Sequence, residues 1–296
     1  MQLNANLAIQ FKQFRDVATV AANSQALREQ CNWIKRETTR QGYEKYKTLT
    51  SFGFAQPRTD GGTSSSDMRY ELYELQITPN VKSIRTIIDD LAMRTDQYGE
   101  YKRTGSLLGE SIAATEVRDI TNILNNGFTS GYNGADGVIL FSSAHPNGGL
   151  ATMSNVLSST ALSEYAVSQL LTQARTTQDP RGLNYGAAAK YKLVVNPTLE
   201  WTAEKLLRSI NVPGGNLNDK NVVGAALDGM VVMDYLTSTT AWFLVAPEKH
   251  SVIFLENMPA ETTTDIDVEG HMNAVAKKSY GTGWSNGYFI YGCAGA

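Results

Sequence analysis

The pattern of apolar and polar positions separates a polar first segment from a pair of alternating strands, a helical stretch and a mixed second half. Residues 1–47 are rich in Gln, Asn, Arg and Lys, with isolated apolar pairs such as Phe11 and Phe14. Short helices are predicted there, but the segment is too thinly apolar to form a core alone. It is either an arm that lies on another surface or a frayed terminus.

Two strands are predicted on either side of a polar linker. The first covers residues 48–54 and the second residues 68–78, where Leu75 and Ile77 alternate with polar neighbours. The linker, residues 56–66, consists of turn-forming and small polar residues and predicts a solvated tip. Arms of this length reach on the order of 40–50 Å. A hairpin that long cannot bury both faces on its own domain, so it either needs a neighbouring molecule or folds back on its own chain.

The next stretch, residues 83–126, is predicted to be mostly helical. Apolar residues recur in it at the spacing of one helix face, first at Ile84, Ile87, Ile88 and Leu91 and again at Ala113, Val117, Ile120 and Leu124. Gly99, Gly105 and Gly109 weaken the middle and predict a break or bend there. The later part, from about residue 106 to 126, is predicted to be one long helix.

Alternating helices and strands predict an α/β second half. A short strand is expected at residues 138–141, and a helix is expected to begin near Ser163, whose hydroxyl is suited to cap it. Further strands are predicted at residues 192–195, 230–233, 241–245, 251–255 and 288–291, with the second and third of these joined as a hairpin. Asn196 and Pro197 are expected to begin a helix whose inner face carries Leu199, Ala203, Leu206 and Ile210.

Composition and charge exclude several classes of protein. The chain has 296 residues, of which 42% are hydrophobic and 19% charged, which suffices for a sizeable core in one or two domains. A formal net charge of −3, with no run of Lys or Arg, does not favour nucleic-acid binding. Cys31 and Cys293 form no metal-ligand spacing and no disulfide framework, which is typical of a reducing compartment. Without a signal peptide or an apolar stretch of about 20 residues, a cytosolic product with no membrane partner is expected.

The sequence holds no pattern typical of catalysis, metal binding or cofactor binding. Its three histidines are isolated, and Ser143 with His145 suggests a nucleophile only weakly because the Gly-x-Ser-x-Gly motif is absent. The adjacent Asp89 and Asp90 would point apart on a helix, so they are interpreted as a solvated face or an ion pair between subunits rather than a catalytic dyad. The prediction is a protein that is not an enzyme and uses no cofactor.

The order of these parts resembles the major capsid proteins of tailed bacteriophages, which have the Hong Kong phage-type fold that encapsulins share. The Ile-Ile-Asp-Asp run at residues 87–90, followed by the helix up to Asn-Asn-Gly at 125–127, resembles that family's entry into its spine helix. Residues 140–146 (Leu-Phe-Ser-Ser-Ala-His-Pro) and 234–244 are similar to the group close to the Mu-type major head subunits. The resemblance covers essentially the whole chain.

This resemblance implies an α+β fold with four parts. Residues 1–47 would form an N-terminal arm and residues 48–79 an extended E-loop hairpin that lies over a neighbouring subunit. Residues 80–135 and 256–296 would form a peripheral domain with the long spine helix, and residues 136–255 an axial α/β domain. It also implies a structural subunit that self-assembles through hexamers and pentamers into an icosahedral head shell around double-stranded DNA, located in the virion after assembly in the host bacterial cytoplasm.

The resemblance also implies partners, and it leaves two alternatives open. The segment before the hairpin has no room for a fused scaffolding domain, so a separate scaffolding protein is implied, with portal and decoration proteins as further partners. No covalent cross-link between subunits is predicted. The charged residues predicted to make contacts between subunits are Arg58, Asp60, Asp67, Arg69, Asp89 and Asp90. The alternative functions are an encapsulin-like nanocompartment shell and a soluble hydrolase that uses Ser143 and His145.

Overall fold

The protein has a mixed α+β fold. The computed structural model describes residues 2–24, 29–89, 91–92, 95, 100–148, 152–184, 186, 189–211, 220–247 and 249–296. Its helices are α1 (Gln2–Ala22), α2 (Glu100–Asn125), α3 (Glu164–Thr176), α4 (Glu200–Arg208) and α5 (Val223–Ala226), with a 3-10 turn at Pro197–Leu199 before α4. Its strands are β1 (Lys35–Thr38), β2 (Glu44–Leu49), β3 (Glu71–Ile77), β4 (Asn80–Ile88), β5 (Val156–Leu157), β6 (Tyr191–Val195), β7 (Leu227–Val232), β8 (Trp242–Val245), β9 (Ile253–Ile266), β10 (Met272–Gly283) and β11 (Ile290–Cys293).

A four-stranded sheet with the order β1-β9-β10-β4 carries the two long helices. The long strands β9 and β10 form an antiparallel hairpin, and β4 pairs with the outer side of β10. Met272, Ala274 and Ala276 of β10 alternate toward one face, where they pack with Phe14 of α1 and Ile112 of α2. Both helices therefore lie on the same face of this sheet. None of the helices in the described residues is long and apolar enough to span a membrane.

The glycines that were predicted to interrupt the helix bring α1 close to α2 instead. A Cβ on Gly109 would lie 2.0 Å from the carbonyl oxygen of Ala18, and one on Gly105 would lie 3.0 Å from the Phe14 ring. The predicted break is thus wrong at these two positions, since α2 is continuous from Glu100 to Asn125, and Gly99 lies outside the described residues. The first segment also forms a longer helix than the short ones predicted, because α1 is a single helix of 21 residues.

A five-stranded sheet with the order β5-β11-β8-β6-β7 forms the second half. Both of its faces are covered, as the alternation along β8 shows: Trp242 and Leu244 pack toward α3 and α4, whereas Phe243 and Val245 pack toward α2. The helix predicted at Ser163 is confirmed, since that hydroxyl accepts a hydrogen bond from the first turn of α3. This double coverage makes the second half an α/β layer arrangement.

Four predictions of local structure are wrong. Residues 83–88 form part of strand β4 rather than a helix, because their backbone pairs with β10 from Ile88 opposite Met272 onward and β-branched residues favour strands. Residues 138–141 contain only an isolated bridge at Ile139. The predicted hairpin of β7 and β8 does not exist, since β6 lies between them and pairs in parallel with β7. Ile210 is 80% exposed because α4 ends at Arg208, before that residue could face the core.

Candidate assembly surfaces

The β2–β3 hairpin is fixed to the body at its base. Leu75 and Ile77 are buried in β3 and pack against Leu255 of β9. On the exposed side, Lys45 Nζ lies 2.5 Å from a carboxylate oxygen of Glu74, and this bond lowers the pKa of the Glu74 carboxyl. Ion pairs at such exposed positions add little to stability, so the apolar contacts hold the base in place.

The paired part of the hairpin is shorter than predicted. The strands pair from Glu44 opposite Ile77 to Leu49 opposite Glu71, and not over residues 48–54 and 68–78. Beyond Thr50, the Asp67 carboxylate accepts hydrogen bonds from the backbone N–H groups of Gly53 (2.7 Å) and Met68 (2.9 Å). These side-chain bonds replace the strand ladder, which is the usual way in which Asp competes with regular structure.

The tip of the hairpin, residues 50–70, exposes large apolar side chains. Phe52 is 57% exposed, Phe54 66%, Met68 68% and Tyr70 55%. Isolated exposed apolar residues are ordinary, but a group of four on one projecting segment is typical of a surface that another molecule covers. The tip is therefore the candidate assembly surface that the structure marks most clearly.

In this structure the tip rests on a loop of its own chain that follows α3. Arg181 forms an ion pair with Asp67, and its guanidinium lies 5.6 Å from the ring centroid of Tyr70. The Ser51 hydroxyl donates a hydrogen bond to the carboxylate of Asp179. The pKa of Asp67 lies below its usual range because the Gly53 N–H and the Arg181 guanidinium stabilise its charged form. The hairpin thus folds back on its own chain.

Four of the charged residues predicted to make contacts between subunits lie on this tip. Arg58 and Asp60 are exposed at its far end. Asp67 has its ion pair within the chain, and Arg69 Nε donates a hydrogen bond of 2.7 Å to the carbonyl oxygen of Thr50. Asp67 and Arg69 therefore shape the tip itself, and contacts of these four side chains with another subunit stay a prediction.

The other two predicted contact residues follow a strand rather than lying on a helix. Asp89 comes directly after β4, and one of its carboxylate oxygens lies 2.9 Å from Nδ1 of His271, which directly precedes β10. Glu269 lies 3.4 Å from the other ring nitrogen. Asp90 lies outside the described residues. Asp89 thus links the ends of two neighbouring strands within the subunit.

His145 belongs to a buried hydrogen-bond network and not to a reactive pair. Its Nδ1 lies 2.7 Å from a carboxylate oxygen of Asp136, and its Nε2 lies 3.2 Å from the Leu140 carbonyl and from Oδ1 of Asn155. Both ring nitrogens are therefore engaged, whereas Ser143 is exposed. A general base must reach the hydroxyl that it deprotonates, and this geometry gives no such approach. Among the described residues, no group of three His, Cys, Asp or Glu side chains is placed to hold a metal ion.

A buried ionic cluster joins α2 to the four-stranded sheet. Lys278 of β10 is fully buried, and its Nζ lies 2.5 Å from Oε2 of Glu116 and 3.2 Å from Glu256. Arg36 of β1 reaches the other oxygen of Glu116 at 2.6 Å. The sequence indicates that the Lys278 side chain is buried, since Lys278 continues the alternation of Met272, Ala274 and Ala276. The cluster fixes the position of the long helix.

The second half exposes further large apolar side chains. Trp201 in the first turn of α4 is 73% exposed, and Val222 is 59% exposed. The indole side chains of Trp33 and Trp242, in contrast, are fully buried. Exposed tryptophan is uncommon on a surface that contacts only water, since a single indole buries a large apolar area when a partner covers it. This end of the molecule is a second candidate contact surface.

Comparison with known proteins agrees with this architecture. The family described as phage capsid protein matches residues 73–294. No curated protein matches the chain in sequence. The capsid structure of the Cyanophage P-SCSP1u has a TM-score of 0.62 at 11% identity, over 89% of this chain and 86% of that chain. The capsid of Ralstonia phage GP4 gives 0.58 at 10% identity, over 88% and 86%.

A virus-like particle from Pyrococcus furiosus has the same fold, with a TM-score of 0.57 at 10% identity over 96% of this chain and 98% of that chain. At such identities the likenesses show the fold, and they confirm the phage capsid fold that the order of parts predicted. The closer resemblance to the Mu-type head subunits stays a prediction. Because the family match covers most of the residues and the fold agrees with it, the chain belongs to the phage capsid protein family.

Proposed function

We propose that the chain is the major subunit of a tailed-bacteriophage head and assembles with copies of itself into a closed icosahedral shell. The family and the fold support this function. The observation that carries it is the hairpin tip, whose four large apolar side chains are exposed in the single chain. A closed shell repeats one modest contact many times, so each contact can be weak while the assembly is stable.

We assign the four segments of the chain to parts of the capsid fold according to the two sheets. Residues 1–47 would be the N-terminal arm and residues 48–79 the E-loop. Residues 80–135 with 256–296, which contain α2, β4, β10 and most of β9, would form the peripheral domain, and residues 136–255 the axial domain. The last strand, β11, pairs with β8 and β5 and so lies in the sheet of the axial part, although it belongs in sequence to the segment 256–296.

We further propose the partners and the place of assembly. A separate scaffolding protein, a portal and decoration proteins would act with the shell in the host bacterial cytoplasm, and the finished particle would enclose double-stranded DNA. The net charge of −3 supports a shell that encloses DNA without binding its sequence, because close binding needs a concentrated basic surface. The subunit has a structural role, carried by its surfaces.

Electron microscopy of the purified protein, with and without a co-expressed scaffolding protein, tests this function. Icosahedral particles or ring-shaped capsomers are the expected result, and a protein that stays monomeric at high concentration in both preparations would overturn it. Isolated particles should contain DNA when the phage packaging proteins are present. An enclosed cargo enzyme in place of DNA would favour the encapsulin-like shell instead.

Deletion of residues 57–66 tests the role of the hairpin. The base of the hairpin and the contacts of Asp67 and Ser51 lie outside the deleted segment, so the subunit should stay folded while particle formation is impaired. Replacing the same residues by a Gly-Ser linker of equal length is the matched control, since it keeps the reach and removes the side chains of Arg58 and Asp60. Particles that form normally from the deletion variant would contradict a role in assembly for the far end of the tip.

A further inference from the structure

The loop that receives the hairpin tip, residues 178–184, is built independently of the tip and is called the docking loop below. The Asp179 carboxylate accepts hydrogen bonds from the backbone N–H groups of Arg181 (2.9 Å) and Leu183 (2.8 Å). The backbone N–H of Asp179 donates to the Leu183 carbonyl at 2.9 Å, and Gln178 bridges to Asn184. The loop therefore holds its shape by its own bonds and can receive a tip from any copy.

The contacts between tip and docking loop are mostly polar and close to the surface. The side chains of Arg181 and Asp67 in the ion pair are 27% and 34% exposed. The tip also contacts this loop through the Ser51–Asp179 hydrogen bond, the Arg181 guanidinium over the Tyr70 ring and the Phe54 ring next to Gly182. Contacts of this kind contribute little free energy each, so they can open and form again without unfolding the subunit.

The tip is not fully covered while it rests on its own chain. Phe52, Phe54, Met68 and Tyr70 remain more than half exposed in the docked position. The tip also lacks a strand ladder between residues 51 and 69, so it joins the rigid base through irregular backbone. A segment with weak polar contacts, an uncovered apolar surface and no strand pairing to the base is suited to move to a second site.

We propose that the docking loop receives the hairpin tip of a neighbouring copy in the assembled shell, so that contacts made within one chain in the free subunit are made between chains in the particle. The same side chains form the same bonds in both states, which is why exchange of identical elements between copies costs little. The inference rests on the proposed function, because a shell presents a second copy at every docking loop.

Cross-linking between separately labelled chains tests the exchange. One variant carries Met68→Cys on the tip and the other carries Pro180→Cys on the docking loop, and the two are assembled together in equal amounts. A short bismaleimide joins them, and denaturing electrophoresis separates linked dimers from single chains. The parent protein is the background control, because its Cys31 and Cys293 are both buried.

We expect linked dimers in the mixed particles and none in the mixed free subunits. A single chain that carries both Met68→Cys and Pro180→Cys is the positive control, and it should give an internal link in the free subunit, identified by mass spectrometry. Mixed particles that contain no dimers, while the doubly substituted chain still gives only its internal link after assembly, would overturn the exchange.

A charge-reversal experiment gives a second, independent readout. Asp67→Arg and Arg181→Asp each place like charges at the contact and should lower particle yield several-fold. Co-expression of the two variants restores opposite charges only between chains, so it should recover particles if the exchange occurs. Recovery by the double variant alone, and not by co-expression, would show that the contact stays within one chain. Failure of the parent protein to form particles would instead count against the proposed function.

Discussion

Glu116→Gln tests whether the buried ionic cluster fixes α2 on the sheet. The Glu116 carboxylate accepts hydrogen bonds from Lys278 Nζ at 2.5 Å and from Arg36 Nη1 at 2.6 Å, and its side chain is 1% exposed. Glutamine keeps the shape and removes the negative charge. The fully buried ammonium of Lys278 then retains Glu256, at 3.2 Å, as its anionic partner.

The expected loss follows from the charge that is left behind. Removing one partner of a buried ion pair costs about 3–5 kcal/mol, because the remaining charge is still excluded from water. Glu256 remains in contact with Lys278, and the Arg36 side chain is 33% exposed and can turn to solvent. We therefore expect a loss near the lower end, about 3 kcal/mol. Adding Lys278→Met removes the buried ammonium that has lost its nearer carboxylate, so the double variant should be more stable than the sum of the two single changes predicts.

Urea unfolding of the unassembled subunit, followed by tryptophan fluorescence, measures these free energies of unfolding. The matched control is Glu74→Gln, the same substitution in the exposed ion pair with Lys45 on the hairpin, which should leave the free energy of unfolding unchanged. A loss for Glu116→Gln no larger than that of the control would refute the structural role of the cluster. Losses of unfolding free energy that simply add in the double variant would also refute that role.

Three further outcomes follow from the structure. Burial by itself raises the pKa of Glu116, but its cationic partners Lys278 and Arg36 outweigh this and hold the pKa below the ordinary 4.5. The contribution of Glu116 to the free energy of unfolding is therefore present above that pH and is lost as the pH falls further. The urea midpoint should drop more steeply below about pH 4.5 in the parent than in Glu116→Gln. Gly109→Ala would place a Cβ 2.0 Å from the Ala18 carbonyl and should cost about 1–3 kcal/mol in thermal unfolding, whereas Gly42→Ala, with open space around it, should not. Phe54→Ser should leave the melting temperature unchanged and lower the particle yield measured by light scattering.

Local signals predicted the parts of the fold that local contacts determine. The helix after Ser163 was predicted correctly because its cap and its apolar stripe lie within a few turns of each other. Residues 84–88 were assigned to a helix because Ile84, Ile87 and Ile88 fit a helix face as well as they fit a strand. The deciding contact is the pairing with β10, almost two hundred residues later, which a local pattern does not contain.

The distinction between local and distant contacts also explains which parts of the candidate surfaces the sequence predicts. The tip was found from its composition, since turn-forming residues between two alternating segments already predict a projecting hairpin. Its partner was not found, because Asp67 and Arg181 are 114 positions apart and neither stands in a distinctive motif. Glu116 was also missed, although it lies between Ala113 and Ile120 on the apolar stripe of α2, where a lone carboxylate requires a buried cation.

The exchange of hairpin tips has a consequence for what drives assembly. The ion pair of Asp67 with Arg181 is present before and after the exchange, so it sets the geometry of the contact and adds almost nothing to the net free energy of association. The net gain must come from apolar side chains such as Phe52 and Phe54, which are exposed in the free subunit. Apolar burial is insensitive to screening, whereas ion pairs weaken as salt shortens the Debye length to about 3 Å at 1 M. Particle yield should therefore hold or rise between low salt and 1 M sodium chloride, measured by light scattering, and a steep fall would show that new charge pairs drive assembly.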